Sequence, residues 1–184
     1  MKRTLLLLAV CATLLATTGA LGQSAVWKGP DGKPAEETEA MKSKNGFAGS
    51  LLVTVDEDWR QKWDTPPETK PSFRMADTVP YGKKVFVLTF FSNPKLDAQG
   101  SANVRCDLQI AAPDGKLTLD QKDMICFTGK IAGSPYNLYL SAPVIEFNGD
   151  PGDPVGTWEV RVVLRDEVRD VALLLKTSFG LKEK

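Results

Sequence analysis

The sequence contains no histidine among its 184 residues. Histidine is the base in Ser-His-Asp and Cys-His catalysis, a common ligand of zinc and copper, and the side chain that switches charge near neutral pH. Its absence therefore excludes these two catalytic arrangements, histidine-ligated metal centres and a histidine pH switch. The chemistry that remains is metal binding or acid–base catalysis by carboxylates, or a nucleophilic serine beside a buried lysine, for which Lys176 and Ser178 offer only the residue types.

Long apolar runs are also scarce. The run from Leu5 to Ala16 follows a short basic segment and is too short to span a bilayer as a helix. Small residues come next, so we predict that residues 1–22 are a secretory signal peptide cleaved before Gln23. The alternative is a lipoprotein-type cleavage before Cys11, which the bulky Val10 disfavours. Elsewhere the apolar runs are interrupted by charges or turn residues, so we expect no transmembrane span in the mature chain.

No basic block occurs anywhere in the sequence. Signal-peptide cleavage removes Lys2 and Arg3 from a total of 23 basic and 23 acidic residues, so the mature chain has a net charge of −2. Proteins that bind nucleic acids draw most of their affinity from a clustered positive face. We therefore expect no nucleic-acid partner.

The first part of the mature chain, residues 23–46, is polar and rich in turn-forming and charged residues. Few of its side chains could offset the conformational entropy lost on ordering. We predict a flexible polar arm with Trp27 as its one hydrophobic anchor. A single domain over residues 47–184 would follow it.

The stretch from Thr157 to Phe179 predicts a β-hairpin. Apolar and polar residues alternate before and after the charged hinge at residues 165–170. This period of two places one set of side chains on a core face, and a helical period of 3.6 fits neither half. We predict that the two halves are the last pair of strands in the fold.

Other segments also read as strands. Residues 84–91, KVFVLTFF, are apolar on both faces, which predicts a central strand. Further candidates lie at residues 50–55, 72–76, 103–112, 122–128 and 137–147. With turn signals at nearly every junction and no sustained helix, we predict an all-β fold. Its expected architecture is an immunoglobulin- or fibronectin-like sandwich of about seven or eight antiparallel strands.

Two pieces of the sequence carry a resemblance at the level of architecture. The strand–PDG–strand segment and the strand GTWEVRVVL resemble those of bacterial extracytoplasmic Ig-like modules. The resemblance covers roughly the last hundred residues. It implies an exported β-sandwich and assigns no functional residues.

Cys106 and Cys126 remain after removal of the signal peptide. They lie on consecutive predicted strands about the turn Pro113–Lys116, so antiparallel pairing would bring them roughly opposite each other. Exported proteins meet oxidising conditions, and we predict one disulfide between them. The alternative is a pair of reduced, buried cysteines.

Trp59 and Trp63 are four residues apart on a predicted helical turn, so they share a face. We predict that both are at least half buried and close one end of the core. The alternative is an exposed platform for a partner. These tryptophans are therefore candidate contact residues.

The charged hinge is the second candidate contact surface, through Asp166, Glu167 and Arg169. The alternatives are a solvated, charge-paired turn or carboxylates engaged in acid–base chemistry.

Asp150 and Asp153 lie in the turn NGDPGDP, whose oxygens would suit calcium, although turns select the same residue types.

These observations predict an extracytoplasmic, non-catalytic module for binding or accessory interactions in the cell envelope, periplasmic or secreted. Its partner would be a protein or another envelope component, and we expect no cofactor. The alternative is a calcium-dependent domain or an enzyme that uses only carboxylates. A pilus subunit awaiting a donor strand is a third class.

Overall fold

The computed structural model describes residues 27, 33, 35–65 and 71–184. Within these residues the chain forms ten strands and one short helix, and the strands are arranged in two five-stranded sheets. The predicted all-β sandwich is confirmed. The predicted signal peptide, residues 1–22, lies outside the described residues, as does most of the segment 23–34.

The first sheet, sheet A, runs in the order β1–β2–β4–β7, with β8 also paired to β4. Its strands are β1 (Met41–Lys44), β2 (Phe47–Thr54), β4 (Lys84–Ser92), β7 (Leu138–Leu140) and β8 (Ile145–Asn148). The second sheet, sheet B, runs in the order β3–β10–β9–β5–β6. Its strands are β3 (Thr78–Pro80), β5 (Ser101–Ala111), β6 (Leu117–Lys130), β9 (Gly156–Asp166) and β10 (Val171–Lys182). The helix α1 (Trp59–Trp63) follows β2.

The predicted terminal hairpin forms as β9 and β10. Its antiparallel register pairs Trp158 with Phe179 and Asp166 with Val171. The inward residues of both strands are buried between the sheets, and there Trp158 and Phe179 pack with Phe147 of β8. The alternation in the sequence is enough to predict which face is buried, because successive side chains of a strand point to opposite sides of the sheet.

The segment expected to be a flexible arm contains a strand. β1 pairs with β2 through the two-residue turn Asn45–Gly46, whose φ angles are 51° and 85°. An Asn-Gly pair with positive φ at both positions is a strong hairpin signal. The sandwich therefore begins at least as early as Met41, before the predicted boundary at residue 47.

Two predicted strands differ in the structure. The run at residues 72–76 makes only an isolated bridge between Met75 and Thr54. The run at residues 137–147 divides into β7 and β8, separated by Pro143, which has no N–H to donate to a ladder. The strand β3 lies outside the predicted strands and pairs with β10 in parallel, so the sheets are not wholly antiparallel.

Cys106 and Cys126 lie at disulfide distance, with their Cα atoms 5.9 Å apart. The pairing register of β5 and β6 shifts next to Cys126, so that Arg105 faces Ile125 while Val104 faces Phe127. Cys126 is the extra residue of this bulge, and both cysteines are buried in the core. Cys126 therefore lies on the inner face of β6, beside Cys106.

Helices of membrane-spanning length and apolarity are not found in the part of the chain that the structure describes.

Candidate functional site

The outer face of sheet A carries a second apolar cluster, separate from the core between the sheets. Phe86, Leu88 and Phe90 of β4 point to this face and are buried there. The other face of β4 contributes Val85, Val87 and Phe91 to the main core. The strand is apolar on both sides because both sides are covered, the outer one by α1.

Trp59 and Trp63 of α1 cover this cluster. The ring of Trp59 lies 6.2 Å from that of Phe86, and the ring of Trp63 lies 5.1 Å from that of Phe90. Trp59 is 9% exposed and Trp63 is partly exposed. Both tryptophans are at least half buried, as predicted. They pack on the outer face of sheet A, however, and not at one end of the core.

Asp56 holds the start of this helix in place. Its fully buried carboxylate accepts bonds from Arg74 N at 2.8 Å and Arg74 Nε at 2.7 Å, and it pairs with Lys62 Nζ at 2.6 Å. Burial alone would raise its pKa. The bonds from Lys62 and Arg74 outweigh burial and hold the pKa of Asp56 well below its ordinary value. Asp56 thus ties α1, through Lys62, to the segment that returns to sheet A.

A groove of about 440 Å³ lies between α1 and residues 140–144, which comprise the last residue of β7 and the segment after it. We call it the tryptophan groove. Trp59, Arg60, Trp63 and Asp64 line it from the helix side. Across from them the lining includes Ser141 and Pro143.

The hydroxyl of Ser141 is buried without a partner. Ser141 is 2% exposed, and its backbone N–H donates to the carbonyl of Thr89 at 2.8 Å. Among the buried side-chain nitrogen and oxygen atoms of the described residues, only Ser141 Oγ lacks a hydrogen bond. A buried hydroxyl left unpaired costs free energy, so this one is an unusual feature of a groove wall.

Arg60 and Asp64 are the charged residues of the groove. The Arg60 guanidinium lies over the ring of Trp59, with its Cζ 4.9 Å from the ring centroid. Both side chains are exposed, and neither makes an ion pair with another described residue. The groove therefore presents a five-donor fork and a two-oxygen acceptor side by side.

The hinge between β9 and β10 is not the surface that the sequence predicted. Asp166 is fully buried, and its carboxylate accepts bonds from Lys95 N at 2.8 Å and Arg169 N at 3.0 Å. The Arg169 guanidinium pairs with Asp166 at 3.2 Å and donates to the carbonyls of Asn45 and Asn93 at 2.7 and 2.9 Å. We call this arrangement the Arg169 clasp. It connects the hairpin of sheet B to two turns of sheet A.

Glu167 is the exposed member of the three predicted hinge residues. Its carboxylate lies 3.4 Å from Arg165 Nε. Arg165 also pairs with Asp107 at 2.9 Å on the outer face of sheet B. Because the clasp uses Asp166 and Arg169 internally, only Glu167 remains as a surface group.

Asp150 and Asp153 are bonded to each other within their turn. Asp153 Oδ2 accepts the backbone N–H of Asp150 at 2.9 Å, and Asp150 O accepts that of Asp153 at 3.0 Å. Within the described residues, clusters of three or more histidine, cysteine, aspartate or glutamate side chains suited to a metal ion are not found. Among the described residues, no third acidic side chain joins Asp150 and Asp153 to form a metal-binding cluster.

The groove also contains functional candidates that the sequence did not indicate. The tryptophan pair was visible from its spacing. Arg60 and Asp64 lie in the same segment, but no sequence pattern marked them as functional residues. No pattern marked Ser141 either, because its position opposite α1 depends on pairing between strands far apart in the chain.

Comparisons with known proteins give no family. No protein-family model matches the chain, and no curated protein matches it. A family 123 glycoside hydrolase from Clostridium perfringens is 7% identical with a TM-score of 0.43, and the match covers 74% of this chain and 28% of that one. The chain therefore spans little more than a quarter of that enzyme.

Two smaller solved proteins are similar over most of their length. A Niemann-Pick type C2 protein from the Japanese carpenter ant is 14% identical with a TM-score of 0.38, over 72% of this chain and 89% of that one. A CARDB domain from Pyrococcus furiosus, solved with di-metal ions, is 12% identical with a TM-score of 0.37, over 81% of this chain and 100% of the domain. At these TM-scores the likenesses carry no argument about function.

Proposed function

We propose that this protein is an exported, non-catalytic β-sandwich module that binds a ligand in the tryptophan groove. The two sheets and the helix provide a rigid support, and the groove lies on the outer face of sheet A. Binding there requires no change in the core between the sheets. The partner belongs to the cell envelope or its surroundings.

The buried, unpaired hydroxyl of Ser141 is the observation that carries this proposal. Small-molecule sites are concave, mostly apolar and equipped with a few placed polar groups. The groove has this composition, since tryptophan rings and Pro143 accompany Ser141, Arg60 and Asp64. A ligand that reached Ser141 would supply the hydrogen bond that the protein leaves unmade.

The ionisation of five described carboxyl groups fits a structural role for them. A general acid needs a carboxyl pKa raised toward neutrality. The described carboxyl groups whose pKa values shift clearly are all shifted down, each bonded to an arginine, lysine or glutamine side chain. They are Asp56, in spite of its burial, and Glu57, Asp107, Asp120 and Asp123. Such groups serve as ionised acceptors and structural partners.

The cysteine pair supports export. Disulfides persist mainly in oxidising compartments, and Cys106 and Cys126 lie at disulfide distance in the core. The predicted signal peptide at residues 1–22 independently indicates export. Together they favour the periplasm or the medium.

Retention of envelope material tests the proposal. The mature protein, immobilised, would be incubated with solubilised envelope from the native cells. We expect the wild type to retain specific material and the double variant Arg60→Ala/Asp64→Ala to lose it. A matched control, Glu183→Ala/Lys184→Ala, also removes one exposed acid and one exposed base and should retain it. Equal retention by all three proteins would contradict a binding role for the groove.

A further inference from the structure

We infer that the tryptophan groove binds a neutral saccharide, a class of ligand recognised through its hydroxyl groups and the apolar faces of its rings. This inference rests on the proposed binding function and specifies its ligand. It is carried by the charge balance of the groove, by the tryptophan surface, and by the unpaired hydroxyl on the opposite wall.

The charge balance favours an uncharged ligand. Arg60 and Asp64 contribute one positive and one negative group, and the groove lining contains no other charged side chain. A carboxylate or phosphate would be attracted by one and repelled by the other. A saccharide hydroxyl both donates and accepts, so neighbouring hydroxyls can accept from the Arg60 fork and donate to the Asp64 oxygens.

The availability of these two groups strengthens the argument. Neither side chain is engaged with another described residue beyond the stacking of Arg60 on Trp59. That stacking holds the planar guanidinium in a defined orientation. Less conformational entropy is then lost when the fork binds.

Trp63 supplies the apolar contact. Its ring packs on Phe90 on one side and remains partly exposed in the groove. The electron-rich face of an indole attracts weakly positive C–H groups, which line the faces of a pyranose ring. Trp59 is more deeply buried and covered by Arg60, so Trp63 is the residue available for stacking.

Ser141 completes the arrangement on the opposite wall. Its Oγ is shielded from solvent, so the side chain must turn into the groove before Oγ donates to, or accepts from, a ligand hydroxyl. A site with an unpaired buried hydroxyl discriminates against ligands that cannot bond to it. The volume of about 440 Å³ is typical of a small-molecule site and suits a short saccharide.

A peptide is the competing ligand class. An extended peptide needs partners for its backbone N–H and C=O groups, which a free sheet edge normally provides. The groove wall at residues 141–144 lies at the edge of sheet A, but the N–H groups of Ser141 and Ala142 already donate within the protein and Pro143 has none. The groove offers three polar side chains instead. These partners match a few hydroxyls better than a row of peptide groups.

Tryptophan fluorescence of the mature protein tests the inference. The probes are neutral hexasaccharides of α-linked glucose, β-linked glucose, mannose, xylose and N-acetylglucosamine, with a proline-rich decapeptide for comparison. We expect a saturable emission change with at least one saccharide, at a Kd of about 0.01–1 mM. Arg60→Ala and Asp64→Ala should each weaken binding about fivefold or more. Both residues are exposed, so these variants are expected to fold.

Two further variants sharpen the result. Ser141→Ala should weaken binding about threefold to tenfold while the melting temperature stays the same or rises, which a merely structural serine would not show. The control Glu183→Ala/Lys184→Ala should bind as the wild type does.

The inference is overturned if no saccharide gives a saturable change up to about 10 mM. It is also overturned if only the decapeptide binds, or if the groove variants bind saccharide as tightly as the wild type. When saccharides fail but envelope retention still depends on Arg60 and Asp64, the saccharide inference alone is lost. When retention is also independent of the groove, the proposed function is lost with it.

Discussion

At the scale of single residues, two buried serines of sheet A differ in one respect. Ser92 is 3% exposed and its hydroxyl donates to the carbonyl of Tyr136 at 3.0 Å, whereas Ser141 is equally buried with an unpaired hydroxyl. A satisfied hydrogen bond contributes to stability, and an unsatisfied buried group subtracts from it. Such groups are rare in native proteins, so the unpaired hydroxyl of Ser141 calls for an explanation.

The two serines therefore respond oppositely to removal of the hydroxyl. We expect Ser92→Ala to lower the free energy of unfolding by about 1 kcal/mol. Ser141→Ala should leave it unchanged or raise it. Urea unfolding of both variants beside the exposed control Ser178→Ala would measure the difference. A loss for Ser141→Ala as large as that for Ser92→Ala would mean that its hydroxyl is satisfied in solution.

Asp56 gives the protein a dependence on acid pH. Its pKa in the folded protein lies below the ordinary value of 3.8, so the unfolded chain binds the proton more readily. The stability that Asp56 contributes is complete above about pH 4–5 and is lost as pH falls below the unfolded pKa toward the folded one.

The variant Asp56→Asn isolates this effect. We expect it to cost about 2 kcal/mol near neutral pH, because the pairs with Lys62 and Arg74 are lost. The difference from the wild type should shrink when unfolding is measured at about pH 3 and below. A difference that stays constant from neutral to acid pH would contradict an ionised Asp56 as the centre of this network.

At the scale of elements, the Arg169 clasp connects the β9–β10 hairpin to sheet A. Removing the guanidinium would leave Asp166 buried without its cationic partner and would free the carbonyls of Asn45 and Asn93. We expect Arg169→Ala to destabilise the protein by about 3 kcal/mol.

A second arginine of the same hairpin provides the control. Arg161 of β9 pairs with Glu159 on the surface, with side chains about two-fifths exposed, 42% and 40%. Arg161→Ala should change stability by less than about 1 kcal/mol. Thermal unfolding of both variants would settle the matter, and similar losses in the two would show that the clasp is no stronger than a surface pair.

The helix α1 depends on the outer apolar cluster. Trp59 is the more buried of its tryptophans, so Trp59→Ala should cost about 3–5 kcal/mol and Trp63→Ala less. Denaturation of each variant would give the two values, and iodide quenching would report the exposure of Trp63. Easy quenching of both tryptophans with no stability loss in either variant would contradict their packing on β4.

The long strands could be predicted from the sequence, and the short ones could not. In β9 and β10 the alternation of side chains decides which face is buried, and this information is local. The three-residue strands β3 and β7 exist because longer neighbours pair with them. β1 did have a local signal, the Asn45–Gly46 turn, which the polar composition of its surroundings concealed.

The candidate site was predictable to the same limited extent. The spacing of Trp59 and Trp63 indicated a shared and largely buried face, but not the outer side of sheet A. The burial of Asp166 could not be foreseen, since its partners come from Lys95 and from the turn after it. Ser141 joins the groove through its bond to Thr89 of β4, a contact without a local sequence pattern.

At the scale of the whole molecule, two apolar layers lie on either side of sheet A. The inner one joins the sheets and contains the cysteine pair, while the outer one supports α1 and the groove. The proposed ligand binding therefore takes place on the face of sheet A that points away from the core between the sheets. Substitutions in the groove's exposed residues should accordingly leave the sandwich intact.

The intact mass of the protein recovered from its native compartment tests both export and the cysteine pair. We expect a mass that corresponds to a chain beginning at Gln23. Alkylation of the denatured protein should add nothing before reduction and two groups after it, one each on Cys106 and Cys126. Loss of the disulfide by substitution should cost about 3 kcal/mol for a loop of this length. Uptake of two alkyl groups without reduction would contradict the bridge.

Site-directed photo-crosslinking in living cells tests the central claim that the tryptophan groove is the binding surface. p-Benzoylphenylalanine would replace Ala142, an exposed residue on the groove wall, or Ala172, an exposed residue of β10 in sheet B. The account predicts a light-dependent adduct from position 142 and none from position 172. An adduct from position 172 alone, or no adduct from position 142, would contradict it.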